Sequence, residues 1–160
     1  MKLENNIEII PFSEDLNEPI KTLNLEWLNK FFKVEPKDEL VLSNPKVQII
    51  DKGGFIFYAQ YKGSIVGTVS LLKLDKSTFE LSKMAVTDSV QGLGIGKLML
   101  EHCFEFAKNN GIKRLFLYSN RSLLSAIHLY KKYGFKEIPL EAGIYERADI
   151  KMEKILIYFN

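Results

Sequence analysis

Apolar and polar positions follow two rhythms along this chain, and the switches between them lay out an order of elements. Ile7 to Phe12 is a short apolar run that predicts a first strand. Ser13, followed by Glu14 and Asp15, has the pattern of a helix start. Leu16, Ile20, Leu23, Trp27, Leu28 and Phe31 then recur at spacings of three and four, which lays one apolar stripe along a helix. Pro36 interrupts that pattern, and Pro36 to Leu42 predicts a second short helix with Pro45 past its end.

From Gly53-Gly54 the period falls to two. Phe55 to Tyr61, Ile65 to Leu74 and Thr78 to Val86 read as three strands joined by Lys62-Gly63-Ser64 and Asp75-Lys76-Ser77, an antiparallel meander. Strict alternation would place Glu80, Ser82, Met84 and Val86 on one face of the third. A helix from about Leu93 to Asn109 follows and stops at Asn110-Gly111. Ile112 to Tyr118 reads as a buried strand, and Ser122 to Tyr133 as a helix ended by Gly134. Phe135 to Leu140 and Ala148 to Ile157 predict two last strands around an Ala142-Gly143 turn. No repeat or linker divides the pattern, so residues 1–160 read as one mixed α/β domain with helices packed on a central sheet.

Composition narrows the partners. With 22 basic and 20 acidic residues, the net charge of +2 is too balanced to single out nucleic acid or a membrane surface. The single cysteine, Cys103, excludes an intrachain disulfide. The first residues are polar and acidic, unlike a secretory signal, and no apolar run nears the roughly 18 residues of a membrane helix. A soluble, cytoplasmic protein is the expectation.

The stretch Gln91-Gly92-Leu93-Gly94-Ile95-Gly96-Lys97 carries the most chemistry. It lies between a predicted strand and a predicted helix, where the free N–H groups of a first helical turn converge and the helix dipole adds positive charge. Dinucleotide binding would need a different glycine spacing and an acid after the next strand, which here ends Tyr118-Ser119-Asn120. Triphosphate binding would need Ser or Thr after Gly96-Lys97, and Leu98 stands there. A glycine-rich helix start without a ligand is the alternative.

Gln91-x-x-Gly94-x-Gly96 resembles the Q/R-x-x-G-x-G/A signature of the GNAT N-acetyltransferases, and Ala126-Ile-His-Leu-Tyr-Lys-Lys-Tyr-Gly-Phe135 resembles that family's second hallmark. The order of elements is similar over nearly the whole chain. The resemblance implies a mostly antiparallel sheet of about seven strands flanked by about four helices. It implies an enzyme that moves the acetyl group of acetyl-CoA, its cosubstrate, to a primary amine by direct attack in a ternary complex. Backbone N–H groups of Gln91, Gly92, Leu93, Gly94, Ile95, Gly96 and Lys97 would hold the pyrophosphate, and Met84, Ala85 and Val86 would pair with the pantetheine arm. Tyr130 matches the tyrosine that protonates the departing thiolate and contacts the cofactor. Glu80 stands where some members carry a general base. One position departs: the asparagine many relatives place before the second hallmark is Leu123 here, with Asn120 one turn earlier as the candidate substitute.

Other residues invite blander readings. His128 reads as a helix-surface residue and Cys103 as a small core residue. His102 beside Cys103 lacks a third ligand at zinc spacing, so no metal is expected. Lys131-Lys132 reads as a solvated helix end. Trp27, Phe31 and Phe32 either line a pocket or pack on the sheet, and their helical spacing favours packing. Glu26, Glu35, Asp38 and Glu39 either draw a cationic amine or form a solvated face. By resemblance, Leu25 to Leu42 and Leu140 to Arg147 shape the acceptor site, which could take a small molecule or a protein amine. A CoA-binding sensor without turnover, or an enzyme for another acyl-CoA, remains the alternative. Homodimerisation is common in such folds, through the exposed edge expected after the last strand.

Overall fold

The computed structural model describes residues 6–156. Seven strands form one sheet in the order β1-β2-β3-β4-β5-β7-β6. They are β1 (Ile7–Pro11), β2 (Phe55–Tyr61), β3 (Ser64–Lys73), β4 (Thr78–Val86), β5 (Arg114–Ser119), β6 (Lys136–Ile138) and β7 (Ile150–Ile155). Four α-helices accompany them: α1 (Pro19–Phe31), α2 (Pro36–Ser43), α3 (Ile95–Asn109) and α4 (Leu124–Lys132). Every strand pair is antiparallel except β4 and β5.

The helices cover both faces. Along α3, Ile95, Met99, Leu100, Cys103 and Ala107 are buried at spacings of three and four, against Val69, Leu71, Phe79, Leu81, Leu115 and Leu117. Gly67 on β3 lets this helix come close, because a Cβ there would stand 3.1 Å from the Met99 sulfur. On the opposite face Ile20 and Leu28 of α1 and Leu42 of α2 pack with Ile49, Ile56 and Tyr58.

Several boundaries differ from the sequence reading for local reasons. Residues 14–16 form only a 3₁₀ turn, Ser13 makes no side-chain cap, and α1 begins at Pro19. A proline lacks the N–H a helix interior needs and fits its first turn. The glycine turn holds α3 back to Ile95. After α2 the chain makes one π-helical turn, Lys46–Ile50, which the pattern did not suggest. Strand β6 is only three residues long, and the expected end of the last strand, Ile157, lies outside the described residues. Strand β7 is not an edge: it sits between β5 and β6, so short β6 forms the border there.

One irregularity shapes the rest of the molecule. Thr68 pairs with Ala85 but Ser70 pairs with Ser82, so three steps along β4 match two along β3. The extra residue is a β-bulge, and Lys83 within it has φ +53°. The bulge breaks the alternation expected of β4. Glu80 and Ser82 face the α1 side with Leu72 and Ser70, and Ala85 shares that face opposite Thr68. Met84 and Val86 turn instead to the α3 side and pack in its core.

Candidate active site

Strands β4 and β5 run parallel but pair only at Thr78–Arg114, Phe79–Leu115 and Glu80–Phe116. Beyond Glu80 they diverge, so the β5-facing edge of residues 81–86 has no strand partner among the described residues. A cavity of about 500 Å³ opens there. Its walls come from β4, the end of β5, the start of α4, the aromatic face of α1 and the loop before β7.

At one end stands the glycine turn. Gly92 and Gly94 have φ near +87° and +81°, where other residues are strained, and a Cβ on either would meet nothing within 4 Å. Gly94 is the N-cap of α3 and has no side chain to satisfy the first helical N–H groups, so the helix start carries no side-chain cap. Gln91 braces the turn: its Nε2 donates to the Val86 carbonyl at 3.2 Å and to Asp88 Oδ1 at 3.3 Å. Glu26 of α1 accepts from Thr87 Oγ1 and the Asp88 N–H, both at 2.8 Å. Glu26 thus anchors this loop rather than waiting for a cation.

At the other end lies a buried ionic network. Asp38 is fully buried and accepts from Lys83 Nζ at 3.1 Å, Arg147 Nη1 at 2.6 Å, Arg147 Nη2 at 2.7 Å and the Glu35 N–H at 2.9 Å. Glu35, N-cap of α2, completes a reciprocal capping box with Asp38. Its carboxylate also holds the Glu146 N–H at 3.0 Å and Arg147 Nη1 at 3.0 Å. Burial pushes the Asp38 carboxyl up, but the Arg147 hydrogen bonds, the Lys83 charge and the Glu35 N–H outweigh it and hold it at about 2. Lys83 is pulled below its ordinary value, first by burial, against the opposing pull of Asp38. Its Nζ also donates to the Tyr145 hydroxyl at 3.2 Å. Glu35 and Asp38 are therefore neither a solvated face nor free to draw a cation.

The expected site residues fall out as follows. Glu80, Met84, Ala85, Val86, Gln91, Asn120 and Tyr130 all line the cavity. Gly92, Leu93, Gly94, Ile95, Gly96 and Lys97 lie beyond its walls, at the Gln91 end. Burial raises the Glu80 carboxyl above its ordinary range, against the pull of Lys83, Lys37, Ser82 and Lys151. Burial alone pushes the Tyr130 phenol up to about 12, so it keeps its proton at neutral pH. The Asn120 side chain is already engaged: it donates to the Arg147 carbonyl at 2.7 Å and accepts from the Ser122 N–H and hydroxyl. Trp27, Phe31 and Phe32 line the cavity, with Phe31 58% exposed, and Trp27 also packs on the core beneath α1 as its spacing suggested. Cys103 is a core residue, and among the described residues no group of His, Cys, Asp and Glu is arranged to hold a metal. No described helix is long and apolar enough to cross a membrane.

Lys83, Tyr118, Tyr145 and the Asn24 brace were not singled out from sequence. Asn24 is fully buried and donates to the Ile20 and Lys83 carbonyls, fixing the bulge. A polar residue inside the α1 apolar stripe was the available signal. Nothing local marked Lys83.

Fold and cavity define an α/β protein whose sheet opens beside a glycine-rich helix start. The model of the acetyltransferase (GNAT) family matches residues 20–135, and the chain belongs to that family. An N-acetyltransferase of unassigned substrate from Bacillus subtilis, YvbK, is 29% identical over 121 residues, covering 71% of this chain and 78% of its own. The solved GNAT-family acetyltransferase of Staphylococcus aureus is 25% identical, with a TM-score of 0.84 over 94% of this chain and 99% of its own. A GNAT-family acetyltransferase of Elizabethkingia anophelis solved with acetyl-CoA bound is 26% identical, with a TM-score of 0.74 over 95% and 99%.

Proposed function

We propose that the protein is an acetyl-CoA-dependent N-acetyltransferase acting on a primary amine by direct attack in a ternary complex. The observation that carries this reading is the single cavity running from Gln91 along the unpaired edge of β4 to Glu80 and Tyr130. Acetyl-CoA would supply an activated thioester carbonyl: attack forms the C–N bond, breaks the C–S bond and releases the thiolate. Open space around Gly92 and Gly94 and the uncapped first turn of α3 suit a pyrophosphate. The unpaired edge at Met84 and Ala85 suits an extended amide-bearing arm.

Tyr130, protonated at neutral pH, would donate to the departing sulfur, a role worth on the order of 10²–10⁴ in rate. An amine of pKa near 10.4 must lose a proton to attack, which costs about 4 kcal/mol near neutral pH. Glu80 would take that proton, directly or through water, because its raised carboxyl is a better base than an exposed one. Holding both reactants in line can contribute roughly 7–11 kcal/mol, which suits a site built largely from backbone.

Thermal unfolding with acetyl-CoA, NAD and ATP tests the reading. Acetyl-CoA at 100 times its dissociation constant should stabilise by about 2.7 kcal/mol, a rise of several degrees at this size. NAD and ATP should leave the midpoint unmoved. No rise at millimolar acetyl-CoA would overturn the proposal.

A further inference from the structure

We infer that the amine acceptor also carries a carboxylate, and that the acceptor end of the cavity is a site for a small amino acid-like zwitterion. The inference rests on the acyl-transfer reading above. Its basis is which hydrogen-bonding capacity the ionic network has already used.

Both acids of the network are saturated. Asp38 accepts two hydrogen bonds on each oxygen: Lys83 and Arg147 Nη2 on Oδ1, Arg147 Nη1 and the Glu35 N–H on Oδ2. Glu35 is occupied by the N–H groups of Asp38, Glu146 and Arg147 and by Arg147 Nη1. A carboxylate offers about four such places, so neither has one left for a substrate ammonium. Glu141 is taken by Tyr118 and Lys151, and Glu146 by Lys33. Glu80 is the one carboxylate of this end without an ion pair among the described residues.

The cations are not saturated. Of three Lys83 protons, Asp38 and Tyr145 take two. Of five Arg147 donors, three are used, leaving Nε–H and one Nη2–H. Lys37 makes no salt bridge among the described residues and stands just outside the cavity lining; its charge pulls on Glu80, and its Nζ stands 4.8 Å from the Tyr145 ring centroid. Lys83 and Arg147 approach the same ring at 5.0 and 4.6 Å. Three cations thus surround Tyr145, with two spent acids between them. Of the carboxylates lining the cavity, only Glu80 keeps lone pairs free. A substrate ammonium near Glu80 and its carboxylate toward Lys37, Lys83 and Arg147 would fill the site, while the second ammonium of a polyamine would meet three cations with Glu80 already engaged.

The test offers the twenty standard amino acids as free acids and as C-terminal amides, following thiol release from acetyl-CoA. We expect at least one free acid to exceed its own amide in kcat/KM by tenfold or more. Lys37→Gln should raise KM for that acid roughly threefold to tenfold while leaving acetyl-CoA binding and the KM of the amide unchanged. If acetyl-CoA binds and no free acid exceeds its amide, the carboxylate site is refuted and acyl transfer stands. If acetyl-CoA raises no thermal midpoint, acyl transfer fails and the carboxylate site fails with it. A preference for amides or diamines overturns the zwitterion alone.

Discussion

Asp38→Asn keeps the shape of the side chain and removes the charge that joins the bulge of β4, the start of α2 and the loop before β7. Three of the four hydrogen bonds lost or weakened come from charged donors, each worth about 1.5–3 kcal/mol in other settings. Simple addition overstates the loss, because Asn retains one acceptor oxygen. The larger effect is that Lys83, with a side chain 3% exposed, and Arg147, 15% exposed, lose their shared counter-ion. Breaking a buried pair in this way costs about 3–5 kcal/mol. For a chain of 160 residues, that is a fall in Tm on the order of 10 °C. Urea unfolding at pH 7 should report it as a lower midpoint with an unchanged slope. Acid gives a second reading. The Asp38 carboxyl is held at about 2 against an ordinary 3.8, so its contribution is present above pH 4 and is lost as pH falls through 2. That contribution is about 2 kcal/mol, and the variant should lack this part of the acid slope. Glu39→Gln, at an exposed pair with Lys21, should leave the midpoint in place. A loss below about 1 kcal/mol for Asp38→Asn would show that the network does not hold the loop.

Three further outcomes concern the proposed chemistry. Gly94→Val meets no steric obstacle but must adopt φ +81°, so we expect about 1–2 kcal/mol of destabilisation and at least tenfold weaker CoA binding by calorimetry; a folded variant with normal CoA binding would misplace the phosphate site. Tyr130→Phe should lower kcat by about 10²–10⁴ with CoA affinity retained, and an unchanged kcat would remove Tyr130 from catalysis. Since burial raises the Glu80 carboxyl, kcat/KM should climb as pH rises through a value above 4.5; Glu80→Gln should abolish that limb, and an identical pH profile would end the base assignment.

The sheet and α3 were legible because their information is local: alternating strands, a three-four stripe and glycines where the chain turns. The glycine turn was legible for the same reason, since its role needs backbone shape more than side chains. The faces of β4 were not. A bulge depends on how two strands compete for register, and nothing around Lys83 in sequence announces that the alternation slips there. The ionic network was hidden by distance along the chain, with 45 residues between Asp38 and Lys83 and 109 between Asp38 and Arg147. Glu35 and Asp38 looked like surface acids because their partners arrive only with the fold. Phe31 and Phe32 looked like packing, and Trp27 like packing alone, because helical spacing cannot distinguish a core from a cavity wall.

The bulge ties the two halves of the cavity together. A bulge bends its strand and increases its twist, and here it falls within residues 81–86, the part of β4 that does not pair with β5. The same bend turns Met84 toward Gly96, with its methyl 3.3 Å from where a Cβ would stand, so the strand end and the glycine turn pack as one body. Lys83 holds φ +53° there at a cost of order 1 kcal/mol. Asn24 secures its carbonyl, and Asp38 and Tyr145 secure its ammonium. The groups that stabilise the bulge therefore belong to the proposed acceptor wall, while the opening beside it is the one proposed for the acyl donor. A change in the acceptor wall large enough to release Lys83 should also loosen the open edge of β4. A change confined to Lys37, which makes no hydrogen bond to Lys83 or Asp38, should not.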